Sequence, residues 1–507
     1  MHLAGFSKNN LFLLTPFKAF LAIAALCLVV YFPSFFHVAR GDQVSYLADM
    51  AARDDHSWVR MAFKDYNFNR VRQFDRGDEH LFRPAGFFLM GTETYLFGYD
   101  FKLWQATSLF FHLVLLWWLL KVAWLIRPGY FAAGCVAVFS VMTAHMEMVI
   151  WHNIISYLIF LIFLVMVVFY LMLYQRESRL RYLGICILAL GCSMLMNELA
   201  FPFMFYITVA AVFSRMNRWH LGILLGSLAL MMIGFFTWDV IDFLATRSQL
   251  AAVTDVAHKA ALGQTLKNTC TAMGWWFYTG ILPYKAGLRE VSRMMAMGIY
   301  EPWGAACGML VAGILAMMIA ALWFCYRRTG MFLGKHRKLM LLLVLMILSV
   351  AGVLAFGRMN VQDPRQALSV ATYYGYFFWI FMVLLIVAFV DNIFPVGKIH
   401  RVWQGVAGII LGMMLVTNAW GTFKKNLEYA DNSRDVISLT QAVENFIRQH
   451  AKEKDFSFFI PTQWPNYEVS WMVKVSERGR RFSFVEALFP KYFRQDNPKY
   501  TLHFGRP

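Results

Sequence analysis

Charge is what this sequence has least of. Asp, Glu, Lys and Arg supply 15% of its 507 residues, where soluble domains carry about 25%. Hydrophobic residues reach 59% and mean hydropathy is +0.51, which excludes a soluble enzyme and a disordered chain. Cysteine is sparse too. Seven are present, with no CxxC pair and no zinc-type spacing, which excludes a disulfide scaffold. Cys27, Cys135, Cys186, Cys192, Cys307 and Cys325 sit in apolar segments and read as small buried hydrophobes, with Cys270 alone in a loop. No Asn-x-Ser/Thr sequon occurs, in keeping with a bacterial inner membrane rather than a secretory pathway.

What is present is long apolar runs. GILLGSLALMMIGFF, LMLLLVLMILSVAGVLAF and YFFWIFMVLLIVAFV leave no polar face for water. Lipid admits only helices and closed barrels, and barrels read as weak alternation. The chain is therefore expected to be an all-α polytopic membrane protein. Its net charge of +17 would raise nucleic acid as a partner for a soluble domain. Here many Lys and Arg sit in short loops between spans, as the positive-inside rule predicts, so no nucleic-acid partner is expected.

Spans of about 20 apolar residues are expected near 11–36, 103–126, 131–144, 154–174, 221–238, 304–324, 339–356, 377–394 and 402–420. The first is too long for a signal peptide and lacks a cleavage site, so it reads as a retained anchor. The stretch 182–213 is too long for one upright span and is interrupted by Asn197-Glu198 and Pro202. Arg176, Arg179 and Arg181 precede it, and Arg215 and Arg218 follow. Both basic loops belong in the cytoplasm, so the chain crosses twice between them and Glu198 marks the outer apex. The expectation is eleven crossings, N-terminus inside and C-terminus outside.

That topology gathers the polar material on the outer side. It comprises a first loop over 37–84, a second over 243–303, a third near 357–376, and a tail over 421–507. The tail reads as a small α/β module after a transmembrane domain over 1–420. Val436, Leu439, Val443 and Phe446 form a helical stripe, and FSFFI, VSWMVKV and YTLHF favour strands. The inner loops are short and hold no phosphate-cradling Gly-rich loop. Chemistry is expected outside, on a lipid-delivered substrate, with membrane lipid as surroundings.

Several residues in these loops carry chemistry. Asp42, just past the first span, is placed to act as a general base on an acceptor hydroxyl. Asp54–His56 and Asp78–His80, the latter including Glu79, set acids beside histidine as a divalent metal site would; surface charge paired with nearby Arg is the plainer reading. Trp275, Trp276 and Tyr278 in the second loop read as an interfacial belt or a sugar-stacking platform.

A set of motifs resembles the GT-C superfamily of membrane glycosyltransferases, in its O-mannosyltransferase-like branch. They are Arg83-Pro84, Tyr95–Gly98, Ser108-x-x-x-His112, His145-x-Glu147-x-Val149-x-Trp151, Asn197-Glu198 with Pro202, and Asp363–Arg365. Ser108, Asn197 and Gln366 depart from the usual Asn, Lys and Tyr. The resemblance covers about 11–394. It implies a GT-C-like fold and inverting transfer of a sugar from a polyprenyl-phosphate donor to an envelope glycan, lipid or protein. It matches Asp42 to the family's acidic base and calls for a cation at the donor phosphate. Arg365 is the first choice there for its bidentate grip, with Lys285 and Arg83 as alternatives. His145, Glu147 and Glu198 then line the cavity or bind sugar, with Glu79 and His80 counted among them, and His112 packs. No cofactor is certain, and a divalent metal stays open. The rival class is a transporter or lipid flippase, which would show repeats and matching broken helices in two halves; no such symmetry is visible.

Overall fold

The computed structural model describes residues 15–38, 58, 70–73, 77–80, 84–97, 100–197, 200, 203–205, 207–208, 216–246, 262–281, 303, 306–314, 316–317, 320, 337–354, 364–393, 401–449, 456–460 and 500–504. Over these the chain is almost entirely helical. Helix α1 spans Pro16–Tyr31 and continues as a 3-10 turn over Phe32–Phe36. Its start is written locally: Pro16 opens the helix and the Thr15 hydroxyl accepts from the Lys18 N–H at 3.2 Å. Next come α2 (Pro84–Phe97), α3 (Phe101–Ile126), α4 (Tyr130–Ser140), the one-turn α5 (Glu147–Ile150), α6 (Ile155–Glu177) and α7 (Leu180–Met196). Then follow α8 (Arg218–Thr246), α9 (Leu262–Ile281), α10 (Arg337–Leu354), α11 (Pro364–Ile393) and α12 (Arg401–Gln449). The α3–α4 turn is short because Gly129 takes φ 123°, a region closed to side chains.

Among the described residues, five helices are long and apolar enough to cross a membrane: Pro16–Phe36, Phe101–Ile126, Ile155–Glu177, Tyr374–Ile393 and Val402–Asp431. Shorter apolar helices cover Tyr130–Ser140, Leu180–Met196, Arg218–Gly234 and Leu339–Gly352. All of these coincide with expected spans. The second half of 182–213 and the span at 304–324 fall where only short helical stretches are described, 203–205, 207–208 and 306–314. Helix α7 does stop at Asn197, whose backbone turns extended.

Lipid tails are as apolar as leucine, so such helices are held by close packing and polar contacts rather than by a hydrophobic drive. Helices α6 and α11 are central and mostly buried, and Tyr376, Phe377, Phe378 and Phe381 of α11 are sealed completely. Phe160 lies against Phe377 and Phe203, with ring centroids 5.8 and 6.0 Å apart. Helix α12 lies outermost, with Trp403, Ile409, Ile410, Met413 and Val416 exposed, as a lipid-facing helix requires.

Three stretches read as outer loops contain structure. Within 37–84, β1 (Arg70–Gln73) and β2 (Gly77–His80) form an antiparallel pair that sets Arg72 opposite Asp78. Within 243–303, α9 packs into the bundle against α10 and α11. Trp275 and Trp276 are buried there, so they serve neither as a belt nor as an open platform. Trp276 offers its carbonyl to the Trp379 indole N–H at 2.8 Å, and Trp379 stacks on Phe277 at 6.0 Å. Gly280 lets that indole lie against the α9 backbone, where a Cβ would overlap it. Finally, α12 passes unbroken through Trp420 and Gly421 to Gln449, so the boundary drawn at 420/421 falls inside one helix. Beyond it, β3 (Phe456–Ile460) pairs in parallel with β4 (Tyr500–Phe504). These are two of the three expected tail strands; the third, VSWMVKV, lies outside the described residues.

Candidate active site

A span was expected over 131–144, yet α4 ends at Ser140. The chain then runs through a 3-10 turn over Thr143–His145, the single turn α5, and another 3-10 turn over His152–Ile154. Breaking a helix inside an apolar bundle frees backbone groups that lipid cannot satisfy, so the break survives only where protein supplies partners. Three helices supply them here. The Ser140 carbonyl accepts from His112 Nε2 of α3 at 3.0 Å, with the Cys27 thiol of α1 at 3.9 Å. The Val141 carbonyl accepts from the Thr422 hydroxyl of α12 at 2.8 Å. The Thr143 N–H donates to Asn418 Oδ1, also on α12, at 3.1 Å. Farther along, the Val149 carbonyl accepts from Gln105 Nε2 of α3 at 3.1 Å. A segment so heavily pinned is the setting in which irregular backbone persists for function.

His112 has both ring nitrogens engaged. With Nε2 donating to Ser140, Nδ1 accepts from the Tyr376 hydroxyl at 2.6 Å. It packs and braces, as expected of it.

His152 closes the far end of the break. Its Nδ1 lies 2.6 Å from the Ser108 hydroxyl and its Nε2 2.9 Å from Glu93 Oε2 on α2. Trp104 meets the ring edge-on at 4.6 Å. With Glu93 a carboxylate, Nε2 carries the proton and Nδ1 accepts from Ser108. A serine–histidine–carboxylate chain invites comparison with a hydrolase triad. The surroundings contradict it: Ser108 is 1% exposed and sits inside α3, where backbone N–H groups are spent on the helix and none is free to hold an oxyanion. The chain instead ties α2, α3 and the broken segment together.

Glu147 opens α5 half-buried, and its charge acts on half-buried Lys425 of α12, with Glu428 alongside. Lys425 lies where the apolar half of α12 gives way to its polar half, beside a polar face that starts within the apolar half. Asn418, Thr422 and Asn426 recur every four residues, with Ser433 a heptad beyond Asn426, and so share that face. Asn426 Nδ2 donates to the Val30 carbonyl at 3.2 Å, its own carbonyl accepts from His37 Nε2 at 2.9 Å, and the Ser433 hydroxyl accepts from the Val38 N–H at 3.2 Å. The last helix is thereby clasped to the exit of the first and to the break.

The opposite end carries different chemistry. Arg127 at the end of α3 pairs with Asp391 near the end of α11 at 3.2 Å, both almost fully buried. Arg176 donates to the Leu125 carbonyl at 2.7 Å, and Tyr174 lies 2.6 Å from His220 Nδ1. The basic loops therefore gather at this end, and the broken segment lies at the other.

Of the sequence-derived candidates, Glu147 is described in full. His145 lies in the Thr143–His145 turn, Glu79 and His80 close β2, and Arg365 is the second residue of α11, each placed by its backbone. Asp42, Arg83, Glu198 and Lys285 lie outside the described residues. Among the described residues, no three His, Cys, Asp or Glu side chains gather as metal ligands would; the side chains of 54–56 and 78–80 are not part of that set. Glu93, His152, Asn418, Thr422 and Lys425 were missed. The four-residue recurrence of polar side chains on the final span was the available signal. No protein-family model matches the chain, no curated protein matches it, and no solved structure matches it.

Proposed function

We propose that this chain is an integral-membrane glycosyltransferase of the inner membrane. It takes a sugar from a polyprenyl-phosphate donor and passes it, with inversion, to an extracytoplasmic acceptor. The observation that carries the reading is the coincidence of two independent lines. The motif most like the GT-C family, His145–Trp151, follows the early end of the short apolar helix α4, in an irregular segment pinned by side chains from several helices. In this reading Asp42 deprotonates the acceptor hydroxyl, and Arg365, backed by Lys285 or Arg83, holds the phosphate as charge builds on the leaving group. Glu147, His145 and Glu198 line the sugar cavity. The chain crosses eleven times with its N-terminus in the cytoplasm, and the tail forms an outer α/β module extending from α12. The buried ion pair Arg127–Asp391 lies at the end of the bundle rather than at its midplane, which favours this reading over a transporter.

The test is transfer by purified protein from a panel of radiolabelled polyprenyl-phosphate sugars to envelope acceptors. Wild type is expected to transfer from one of them. Asp42→Asn is expected to lose at least about a hundredfold in turnover, the scale of a lost general base. No transfer from any donor sinks the enzyme reading.

A further inference from the structure

Lys121 is a cation with no counter-charge among the described residues. It lies near the end of α3, a helix apolar enough to cross a membrane. Its ammonium sits 4.4 Å from the centre of the Trp118 ring, 5.1 Å from that of Phe169 on α6 and 5.4 Å from that of Trp117. No carboxylate pairs with it and no hydrogen bond engages it among the described residues. Ring faces steady a cation without cancelling its charge, and an ionisable group within a membrane span calls for a partner. The residue is only half-buried and its ammonium is not shut off from the outside. The partner therefore comes from beyond the bundle.

The neighbouring rings show which face is open. On one side Trp117 meets Phe17 and Phe20 of α1 at 6.5 and 5.2 Å, and on the other Trp118 meets Phe169 and Tyr170 of α6 at 5.5 and 5.8 Å. Lys121 thus occupies the outer face of α3 between α1 and α6, at the level where α1 begins. Phe17 is 58% exposed there, and Lys18 next to it is exposed as well. Beyond Tyr170, the Tyr182 ring of α7 stacks at 6.3 Å and carries the exposed Arg181 guanidinium at 4.8 Å. Glu177 is already engaged, by Arg179 at 3.1 Å and the Tyr182 hydroxyl at 3.2 Å. Cations bedded in Trp and Tyr rings near helix ends meet the headgroup layer, and basic pockets between helices take anionic headgroups. Lysine grips phosphate as a point charge. A zwitterionic lipid brings its own cation to that phosphate, so a lysine without an acid favours a lipid of net negative charge. We propose that this face of α3 holds the phosphate of an anionic phospholipid, with Lys121 as its counter-ion and Lys18 and Arg181 flanking the headgroup. The proposal needs only a membrane-embedded bundle and does not depend on sugar transfer.

The experiment titrates the full chain, purified in a non-ionic detergent, with dioleoylphosphatidylglycerol, dioleoylphosphatidylcholine or inorganic phosphate, and reads the melting temperature. Phosphatidylglycerol is expected to raise it, and the other two to leave it unchanged at equal concentration. Lys121→Gln should shift the phosphatidylglycerol midpoint about fivefold higher, the scale of one lysine against an anionic headgroup, and Lys121→Arg should keep it. Arg434→Gln on α12, where the guanidinium pairs with Asp431 at 3.1 Å, should respond as wild type does. Equal responses to the two lipids, or a wild-type response in Lys121→Gln, overturn the proposal. An equal response to inorganic phosphate would assign the site to a free anion, and an equal loss in Arg434→Gln would mark a general effect of charge; either contradicts it. Should Lys121→Gln not fold, native mass spectrometry of wild type carries the test. From an equal mixture the chain should retain phosphatidylglycerol severalfold over phosphatidylcholine, and equal retention contradicts the proposal.

Discussion

Asn418→Leu is expected to lower the thermal stability of the purified protein by about 2 kcal/mol or more, the scale of a buried backbone donor left unmatched. The change strips the Thr143 N–H of its acceptor and the Gly280 carbonyl of its 3.3 Å donor at once. Side-chain hydrogen bonds between membrane helices average only about 0.6 kcal/mol, because partners are also found in the unfolded state within the membrane. Thr143 differs because its N–H lies at a helix break, where the chain offers no internal acceptor. Thr417→Val is the control: that hydroxyl is exposed and bonds within its own helix, so the change should cost little. Equal melting of the two variants would mean that the break is not held from α12.

The second large effect lies at the opposite end of the bundle. Asp391→Leu leaves Arg127 without its buried carboxylate, and removing one partner of such a pair costs about 3–5 kcal/mol. The double variant Arg127→Leu/Asp391→Leu should recover most of that loss, since two apolar side chains need no counter-charge. It should also retain transfer activity, because the pair sits away from the broken segment. A double variant no more stable than Asp391→Leu would show that the pair holds the end of α3 by something other than its charge.

Much of the bundle was legible in one dimension. Uninterrupted runs such as Leu339–Phe356 read as apolar helices, and α10 covers most of that run; Asn197 with Pro202 marks where α7 stops. The His145–Trp151 motif marks the region where α4 breaks, although hydropathy alone makes the break look like the end of a span. Helix α9 escaped because Gln264, Lys267 and Asn268 dilute its hydropathy, although the run Thr271–Trp276 is buried all round. The length of α12 escaped for a related reason. Hydropathy collapses at Lys424 and Lys425, but helix propensity does not, and Asp431–Arg434 at 3.1 Å supports the extension. Glu93, Ser108 and His152 stand 44 and 59 residues apart along their bonds. No local pattern joins residues so distant; only the packing of α2 and α3 on the break does.

On the proposed reading, sugar transfer takes place at the broken end of the bundle, on the extracytoplasmic side. Sealed right-side-out and inside-out vesicles containing the protein, given a short-chain polyprenyl-phosphate sugar and an impermeant acceptor from outside, test it most directly. Product should form in right-side-out vesicles, and in inside-out vesicles only after they are permeabilised. Transfer confined to sealed inside-out vesicles would contradict the account.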